Sequence, residues 1–269
     1  MSPAALRAVY LDLDGTLLGP GGSLLRDAGG AFSLLGARAL EACARAVAEV
    51  VLYSGRRRSS LVSDARMLGV AAYAFEAGCG LVVDGETDWL TGDLVPRPGA
   101  TIFAQIEASG APALLLGAYA GHLEYHDPWH LDREVSHLFR GRIDAREADA
   151  LLATHELGHL RLVDNGAIDR PGLRAYHLIP AGASKGRAVA RHMQVRGLAP
   201  EECIAVGDSR EDLGAAPAVG TFWLVANGLD HDPSLREVLA GLPNARITEA
   251  GHGPGVYEAV LSSLAERRG

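Results

Sequence analysis

One short stretch near the start of the chain, Ala8 to Thr16, constrains the fold more than any other. Its first residues are apolar and favour a strand, and they run directly into two acids, Asp12 and Asp14. Side chains alternate faces along a strand, so both acids leave on the same side, and Gly15 lets the chain turn after them. The stretch therefore predicts either a buried strand that delivers carboxylates to its own end or an Asp-Gly hairpin turn.

The composition indicates a globular protein of one large domain or two smaller ones. The chain has 269 residues, 48% of them hydrophobic and 22% charged, which is enough to bury a substantial core. The net charge is -8 and no run is rich in lysine or arginine, which argues against nucleic acid or an anionic membrane as a partner. An anionic substrate then needs local positive groups or a metal cation.

The cysteines and the first residues of the chain indicate where the protein works. Cys43, Cys79 and Cys203 are odd in number and lie in apolar or glycine-rich surroundings, so we expect buried, reduced thiols. The first strand begins within about eight residues of the start, which leaves no room for a signal peptide, and no apolar run approaches a membrane span. These features predict a cytoplasmic protein.

Alternating helices and apolar strands predict a parallel sheet. The helical segment Ala31 to Glu49 is followed by the strand Val50 to Tyr53, and such strand-helix-strand units are right-handed crossovers. Ser54 then follows at the same sheet edge as Asp12. The pattern resumes late in the chain, with predicted strands at residues 175–179, 203–206 and 221–225 and helices at 184–196, 233–240 and 256–267.

The middle of the chain differs in composition from the rest, which predicts a second, smaller unit. Residues 86–171 hold two of the three tryptophans, most of the histidines and clustered prolines. We expect helices at 99–109 and 145–153, a strand at 113–119 and a hairpin with a type I′ turn at Asn165 and Gly166. The predicted fold class is α/β, a doubly wound Rossmann-like core at 1–84 and 174–269 with an inserted α+β cap domain at 85–173.

Three predicted strands end in polar groups at one edge of the sheet. Asp12 and Asp14 follow the first, Ser54 the second, and Asp208 and Asp212 a later one. Ligands bind outside the carboxyl ends of strands in open parallel sheets. Neighbouring carboxylates repel unless a cation neutralises them, and Mg²⁺ suits a site of few carboxylates that meets a phosphate. The sequence therefore predicts a metal and anion site.

Lys185 supplies a positive charge near this predicted site. It stands in the first turn of a helix, where it opposes the helix dipole, and Gly186 beside it weakens the helix further. Local rules broken at two adjacent positions indicate a functional site. A structural role is the alternative for Ser54, which is suited to a turn or cap, and for Asp212, which is suited to a helix N-terminus, but it explains poorly why a strand runs directly into Gly207 and Asp208.

Four segments, taken together and in order, resemble the motifs of the haloacid dehalogenase-like superfamily of phosphohydrolases. They are Asp12–Thr16, Ser54–Arg56, Ser184–Gly186 and Gly207–Asp212. The segment between the second and third motifs is similar to a class II cap, of the IIB type found in Cof, sucrose-phosphate and mannosyl-3-phosphoglycerate phosphatases. The resemblance implies a Mg²⁺-dependent phosphatase acting on a small phosphorylated metabolite, with a sugar phosphate expected.

The resemblance also implies a role for each matched residue. Asp12 is the nucleophile that forms an aspartyl-phosphate, and Asp14 protonates the leaving oxygen and then activates water. Ser54 and Lys185 hold the phosphoryl oxygens. The implied metal ligands are Asp12, the main-chain carbonyl of Asp14, Asp208 and, through a water, Asp212. The implied substrate-binding residues are Gly15, Gly55 and Arg56.

The chain departs from the subclass at two positions, neither of which removes a predicted catalytic group. Glu211 stands where asparagine is usual, and Ala77 replaces the asparagine of a Glu-Asn-Gly turn. Three alternatives stay open, namely a phosphotransferase or mutase on the same core, a non-catalytic binding protein, and a zinc hydrolase. The last would use His155, Glu156 and His159, which need a helix to set both histidines on one face.

The cap residues carry weaker expectations. Four arginines are candidates for meeting a second anionic group of the substrate: Arg97, Arg133, Arg140 and Arg142. Four histidines are candidates for lining a specificity pocket or for holding an adventitious metal, with polar surface as the favoured alternative: His122, His126, His130 and His137.

Overall fold

Two separate sheets organise the chain. The computed structural model describes residues 4–168 and 172–267, where the strands form one sheet of eight and one of four. The strands are β1 (Ala8–Leu11), β2 (Glu49–Tyr53), β3 (Ala72–Phe75), β4 (Gly80–Val83), β5 (Glu86–Trp89), β6 (Leu123–Tyr125), β7 (His137–Gly141), β8 (Leu160–Ala167), β9 (Arg174–Pro180), β10 (Cys203–Gly207), β11 (Thr221–Leu224) and β12 (Ala245–Ile247).

Helices cover both sheets and supply most of the connections between strands. They are α1 (Leu35–Arg45), α2 (Arg58–Leu68), α3 (Ile102–Ala108), α4 (Ala111–Ala118), α5 (Ala145–Thr154), α6 (Lys185–Arg196), α7 (Asn227–His231), α8 (Leu235–Ala240) and α9 (His252–Glu266).

The large sheet has the strand order β12-β11-β10-β1-β2-β3-β4-β5. Its first six strands are parallel, and β4 and β5 add an antiparallel edge. The connections run outward in both directions from β1, so the strand order reverses between β1 and β10. This confirms the predicted doubly wound α/β core and puts its topological switch point beside Asp12, where such sheets bind ligands.

Strand β1 lies at the centre of the core because both of its faces are apolar. Val9 and Leu11 pack in the layer formed with α1, α2 and α9, whereas Ala8 and Tyr10 pack in the layer formed with α6 and α8. All four residues are fully buried. A continuous apolar run of this kind is typical of a strand covered by helices on both sides.

The smaller sheet is antiparallel, with the order β6-β7-β9-β8, and has a core of its own. Phe139 of β7 and Leu178 of β9 are fully buried against apolar residues of α3, α4 and α5. The inserted unit is therefore of the α+β kind, as predicted.

Two strands lie on the other side of the predicted domain boundaries. The strand expected at 175–179 in the parallel sheet is β9, which pairs with β7 and β8, so that prediction was wrong. Strand β5, expected in the smaller unit, pairs with β4 through the turn at Asp84 and Gly85, both with positive φ. A tight hairpin keeps its second strand in the same sheet, whereas an apolar run alone does not reveal its partner. Residues 169–171 of the predicted cap lie outside the described residues.

A predicted strand in the smaller unit is a helix. Residues 113–118 fall in α4 and Tyr119 is its C-cap; the N-cap is Gly110 with φ of 79°, and the first turn contains Pro112. Proline suits the first turn of a helix because the amide it lacks would have no partner there. The apolar run Leu114–Leu116 has no periodicity that separates a buried helix from a strand.

The predicted type I′ turn at Asn165 and Gly166 is a bulge instead. Strand β8 continues from Leu160 to Ala167, and its pairing with β9 shifts register between Asp164 and Ala167. The Oδ1 atom of Asp164 accepts the N–H of Gly166 at 2.9 Å, and Gly166 has φ of 101°. The side chain thus stabilises a local kink in the strand rather than a chain reversal.

The candidate zinc motif does not lie on a helix. Helix α5 ends at Thr154, His155 caps it, and Glu156 is in the left-handed region with φ of 62°. The histidines of this motif therefore lack the helical face that a zinc hydrolase needs.

The remaining expectations concern the cysteines and the membrane. Cys43, Cys79 and Cys203 are buried and free, as predicted. Across residues 4–168 and 172–267, no helix is both long enough and apolar enough to cross a bilayer.

The buried face of the small sheet predicts a large cost of truncation. We expect Leu178→Ala to lower the free energy of unfolding by about 2–5 kcal/mol, since it removes a fully buried side chain. In the matched control Leu261→Ala, truncation of a partly exposed leucine of α9, the loss is expected to be about 1 kcal/mol or less. Urea denaturation measures both, and equal losses would contradict the assigned burial.

Candidate active site

Three carboxylates converge where β1 and β10 end. Leu11 pairs with Val206, so Asp12 and the Gly207–Asp208 segment leave the sheet side by side. Asp12, Asp208 and Asp212 each offer one oxygen, and these oxygens lie within 4.8 Å of one another. The sequence predicted this convergence from strand ends alone.

Lys185 lies between two of these carboxylates. Its Nζ donates to Oδ1 of Asp12 at 2.8 Å and to Oδ1 of Asp212 at 2.7 Å, and the lysine is fully buried. The hydroxyl of Ser184 caps helix α6 by accepting the N–H of Arg187. A lysine in the first turn is therefore tolerated because two acids compensate for the helix dipole.

The cluster holds more negative than positive charge. Burial raises the pKa of Asp12 to about 7, with Asp212 adding to the rise and Lys185 opposing it. Burial and the charges of Asp12 and Asp212 raise the pKa of Asp208 well above its usual range. Burial alone would lower the pKa of Lys185, but the two carboxylates raise it above its ordinary value. One ammonium does not balance three acids, so the arrangement favours a bound cation.

Gly15 and Thr16 fix Asp208 from the other side of the site. Gly15 has φ of 84°, and a Cβ built there would lie 2.5 Å from Oδ2 of Asp208, so only glycine fits. The hydroxyl of Thr16 donates to Oδ1 of Asp208 at 2.9 Å. The turn after β1 thus holds the third acid in place.

Asp212 shapes the loop after β10. Its Oδ2 accepts the N–H groups of Asp208 at 3.2 Å and Ser209 at 2.9 Å, and the hydroxyl of Ser209 at 2.6 Å. Its Oδ1 accepts the bond from Lys185. Both oxygens are engaged by protein donors, which fits an indirect contact with a metal better than a direct one.

Asp14 lies at the rim, apart from the cluster. Its side chain is 57% exposed, and Arg56 donates to both of its oxygens, from Nη2 at 2.6 Å and from Nε at 2.8 Å. Arg56 also donates to Asp64 at 2.8 Å. The guanidinium that the resemblance assigned to substrate binding is thus engaged by two carboxylates of the protein.

Ser54 lies at the same sheet edge, one residue beyond β2. Leu52 pairs with Leu11, so Ser54 and Asp12 leave neighbouring strands, and Ser54 is fully buried. The Oγ atom of Ser54 accepts the N–H of Arg56 at 3.2 Å. Ser54 thus makes the hydrogen bond of a turn residue at the sheet edge from which Asp12 also projects.

Residues of the small sheet also reach this edge. A Cβ built at Gly55 would lie 2.8 Å from both Nδ2 of Asn165 and Nε2 of His177, so the loop after β2 needs glycine here. On the far side, Arg161 of β8 donates to Glu211 at 2.9 Å. The small sheet thus touches both the second and the fourth motif segments.

Glu76 joins the two units in a way that the sequence did not reveal. It is fully buried after β3, with φ of 49°. Its carboxylate accepts the N–H groups of Glu134, Val135 and Ser136 at 2.6–3.2 Å and the hydroxyl of Ser136 at 2.8 Å. The one available signal was a glutamate following a strand at the same edge as Asp12.

The cap residues singled out from sequence have mainly structural contacts. Arg133 is buried and donates to the carbonyl of Gly55 at 3.1 Å, and Arg140 pairs with Glu124 at 2.6 Å. His137 is buried and stacked on Phe103, with ring centroids 3.8 Å apart.

Comparison with curated proteins decides the family. A Halorubrum lacusprofundi protein named phosphoglycolate phosphatase is 31% identical over 81% of this chain and 83% of its own length. A Methanococcoides burtonii protein of the same name is 23% identical over 96% of this chain and 97% of its own. No protein-family profile matches the chain.

Solved structures share the fold over nearly the whole chain. The sucrose-phosphatase of Synechocystis aligns with a TM-score of 0.66 over 96% of this chain and 98% of its own, at 15% identity. A haloacid dehalogenase-like hydrolase of Bacteroides thetaiotaomicron aligns with 0.62 over 95% and 98%, at 18% identity.

The chain belongs to the family of these phosphatases, and its fold is that of the haloacid dehalogenase-like hydrolases. Phosphatases of this family generally use a divalent metal ion, and the cluster of Asp12, Asp208 and Asp212 is a set of oxygen donors suited to one. The curated relatives that share this family are named for a small phosphorylated substrate.

The raised pKa of Asp12 makes metal binding by this phosphatase depend on pH. The pKa of Asp12 is about 7 in the folded protein, above that of an unfolded aspartate. Protonation of Asp12 therefore stabilises the metal-free folded state, and the free energy of unfolding of that state falls as the pH rises from about 4 to 7. A cation needs the carboxylate form. We expect added divalent cation to raise Tm more at about pH 8 than at about pH 5.5. Equal shifts at both pH values, measured by scanning calorimetry, would contradict this account.

Proposed function

We propose that the chain is a Mg²⁺-dependent phosphomonoesterase that hydrolyses a small phosphorylated metabolite through a phosphorylated Asp12. The observation that carries the proposal is the position of Asp12, buried at the switch point, bound to Lys185 and beside Asp208. A nucleophile, a cation for the phosphoryl oxygens and a metal-binding acid then occupy one edge of the sheet.

The donor set supports a hard cation. Oxygens of Asp12 and Asp208 would hold Mg²⁺ directly, together with the main-chain carbonyl of Asp14, and Asp212 would contact it through water. Mg²⁺ prefers oxygen ligands and keeps several waters, which suits few carboxylates and a substrate phosphate. When bound, it neutralises the acids and stabilises the charge on the phosphoryl group.

The first step transfers the phosphoryl group to the protein. Oδ1 of Asp12 is held by Lys185, which leaves Oδ2 to attack phosphorus while the bond to the ester oxygen breaks. Asp14 gives a proton to the departing alcohol oxygen. Lys185 and the hydroxyl of Ser54 hold the phosphoryl oxygens as their charge redistributes.

The second step returns Asp12 to its carboxylate. Water attacks phosphorus, the bond from phosphorus to Asp12 breaks, and Asp14 takes a proton from the water. Inorganic phosphate then leaves. Arg56 donates to both oxygens of Asp14 and so fixes the position of this carboxylate at the rim of the site.

The inserted unit serves as a cap over the leaving group. Arg133 contacts the carbonyl of Gly55, Arg161 contacts Glu211, and Asn165 lies against Gly55, so the cap meets the core on both sides of Asp12. Burial by a cap excludes bulk water and strengthens the charge interactions inside the site.

The nucleophile assignment predicts a specific loss of activity. We expect Asp12→Asn to reduce Mg²⁺-dependent phosphate release by about 10³-fold or more, since the amide neither attacks phosphorus nor binds the cation well. The control Asp93→Asn changes an exposed acid and should retain full activity. Release of phosphate from p-nitrophenyl phosphate, with Mg²⁺ and with EDTA, measures both. Activity that survives in Asp12→Asn, or in EDTA, would refute the mechanism.

A further inference from the structure

Arg161 joins the edge of the small sheet to the two motif segments around Lys185. From β8, its Nη2 atom donates to Oε1 of Glu211 at 2.9 Å and to the carbonyl oxygen of Ala183 at 2.8 Å, and its Nε atom donates to the same carbonyl at 3.3 Å. Glu211 belongs to the loop after β10, and Ala183 lies two residues before Lys185. One guanidinium therefore holds the fourth motif segment and the approach to the third.

Glu211 in turn contacts the first residue of α6. Its Oε1 atom accepts the main-chain N–H of Lys185 at 3.4 Å, in the first turn of the helix, where amides have no partner within the helix. A Cβ built at Gly186 would overlap the carbonyl oxygen of Gly214, so the start of α6 packs directly against the turn that contains Gly214. The main chain of Lys185 is thus fixed both by Glu211 and by this close packing.

The charges at this edge of the sheet need a second cation. Asp12, Asp208 and Asp212 already offer three oxygens within 4.8 Å of one another, and Glu211 adds a fourth carboxylate next to Asp212 in the chain. The side chain of Glu211 is 11% exposed, and among residues 4–168 and 172–267 Arg161 is the one cationic side chain in ion-pair contact with it. Leaving a mostly buried acid unpaired is costly. Without Arg161, Glu211 would bring an unbalanced negative charge to a site that has to receive phosphate.

We propose that Arg161 and Glu211 are positioning residues for Lys185. This ion pair fixes the start of α6 and balances a carboxylate beside the phosphoryl site, so that Lys185 can hold a phosphate oxygen while it is bonded to Asp12 and Asp212. Both residues act through Lys185 rather than on the reacting group. The resemblance to known phosphatases does not imply the pair, since Glu211 stands at a position where the chain departs from the subclass.

The proposal rests on the proposed phosphatase function and adds to it a contact from the small sheet that keeps the phosphate-binding lysine in place. It differs from a role in docking the two units. Loss of docking would disturb the whole edge and weaken phosphate and Mg²⁺ binding together. Loss of positioning would weaken phosphate, which depends on Lys185, but not Mg²⁺, which depends on oxygens of Asp12 and Asp208. The more negative potential left by the loss of Arg161 would also favour a cation.

Calorimetric titration of the full chain separates these two roles with two probes, Mg²⁺ alone and inorganic phosphate at saturating Mg²⁺. The variants are Arg161→Gln, Glu211→Gln and the double variant, each checked for folding by circular dichroism. The control is Arg174→Gln, which breaks an ion pair with Asp164 within the small sheet. Arg174 is 28% exposed and Arg161 is 27% exposed, so the two arginines are matched in burial.

We expect Arg161→Gln to weaken phosphate binding by about tenfold, roughly the effect of losing one charge-assisted hydrogen bond, and to leave Mg²⁺ binding within about threefold of the wild type or tighter. Glu211→Gln keeps an acceptor oxygen for Arg161 and for the amide of Lys185, so it should weaken phosphate binding by about threefold or less. Because it also removes the negative charge, adding Arg161→Gln to it should cost a further factor of only about three or less. Arg174→Gln should change neither affinity.

Several results would overturn the proposal. Equal losses of phosphate and Mg²⁺ affinity in Arg161→Gln would indicate docking alone. A loss of the same size with and without Glu211→Gln would show that the two residues do not act as a pair, and an equal effect in Arg174→Gln would show that the loss is not specific. Should Arg161→Gln fail to fold, Arg161→Lys keeps the charge but not the forked contact, and the same comparison applies, with a phosphate loss of about threefold expected.

The outcome for the pair and the outcome for the proposed function can be told apart. Absence of Mg²⁺-dependent turnover of p-nitrophenyl phosphate by the wild type would refute the phosphatase function, while the calorimetric comparison would still decide whether the pair positions Lys185. A wild type that binds no phosphate in the presence of Mg²⁺ would overturn both.

Discussion

The ammonium of Lys185 between Asp12 and Asp212 is the interaction on which the rest of the site depends. It brings the start of α6, the end of β1 and the loop after β10 to one buried point. Removing one member of a buried charge set leaves the others uncompensated, which is far more costly than losing a surface pair. The same charges leave an excess of negative potential, so this arrangement both requires the lysine and favours the binding of a cation.

Local strand patterns made much of the core site predictable. Asp12, Ser54 and Asp208 each follow an apolar strand, and parallel strands end at a common edge, so their convergence follows from topology. One limit appears within the same segments. Asp14 was expected beside Asp12, but Arg56 holds its carboxylate at the rim, and a distant side-chain partner of this kind leaves no periodic trace in a sequence.

The contribution of the smaller unit could not be read in the same way. The contacts of His177 and Glu76 depend on how one unit docks on the other, which no local pattern encodes. The apolar run 175–179 would suit a buried strand of either sheet, so its pairing with β7 is set by long-range packing. The prediction of a type I′ turn at Asn165 and Gly166 was wrong, because strand β8 continues through them and the side chain of Asp164 stabilises a bulge there.

The contacts between the two units are more numerous and more buried on the side of Glu76 than on the opposite side. On its side, four hydrogen bonds to segment 134–136 and the contact from Arg133 to Gly55 tie the cap to the core. On the opposite side, the bond from Arg161 to Glu211 is partly exposed. Separating the two units on the Glu76 side would leave a buried carboxylate without its four donors, whereas on the opposite side it would break one ion pair that water already reaches.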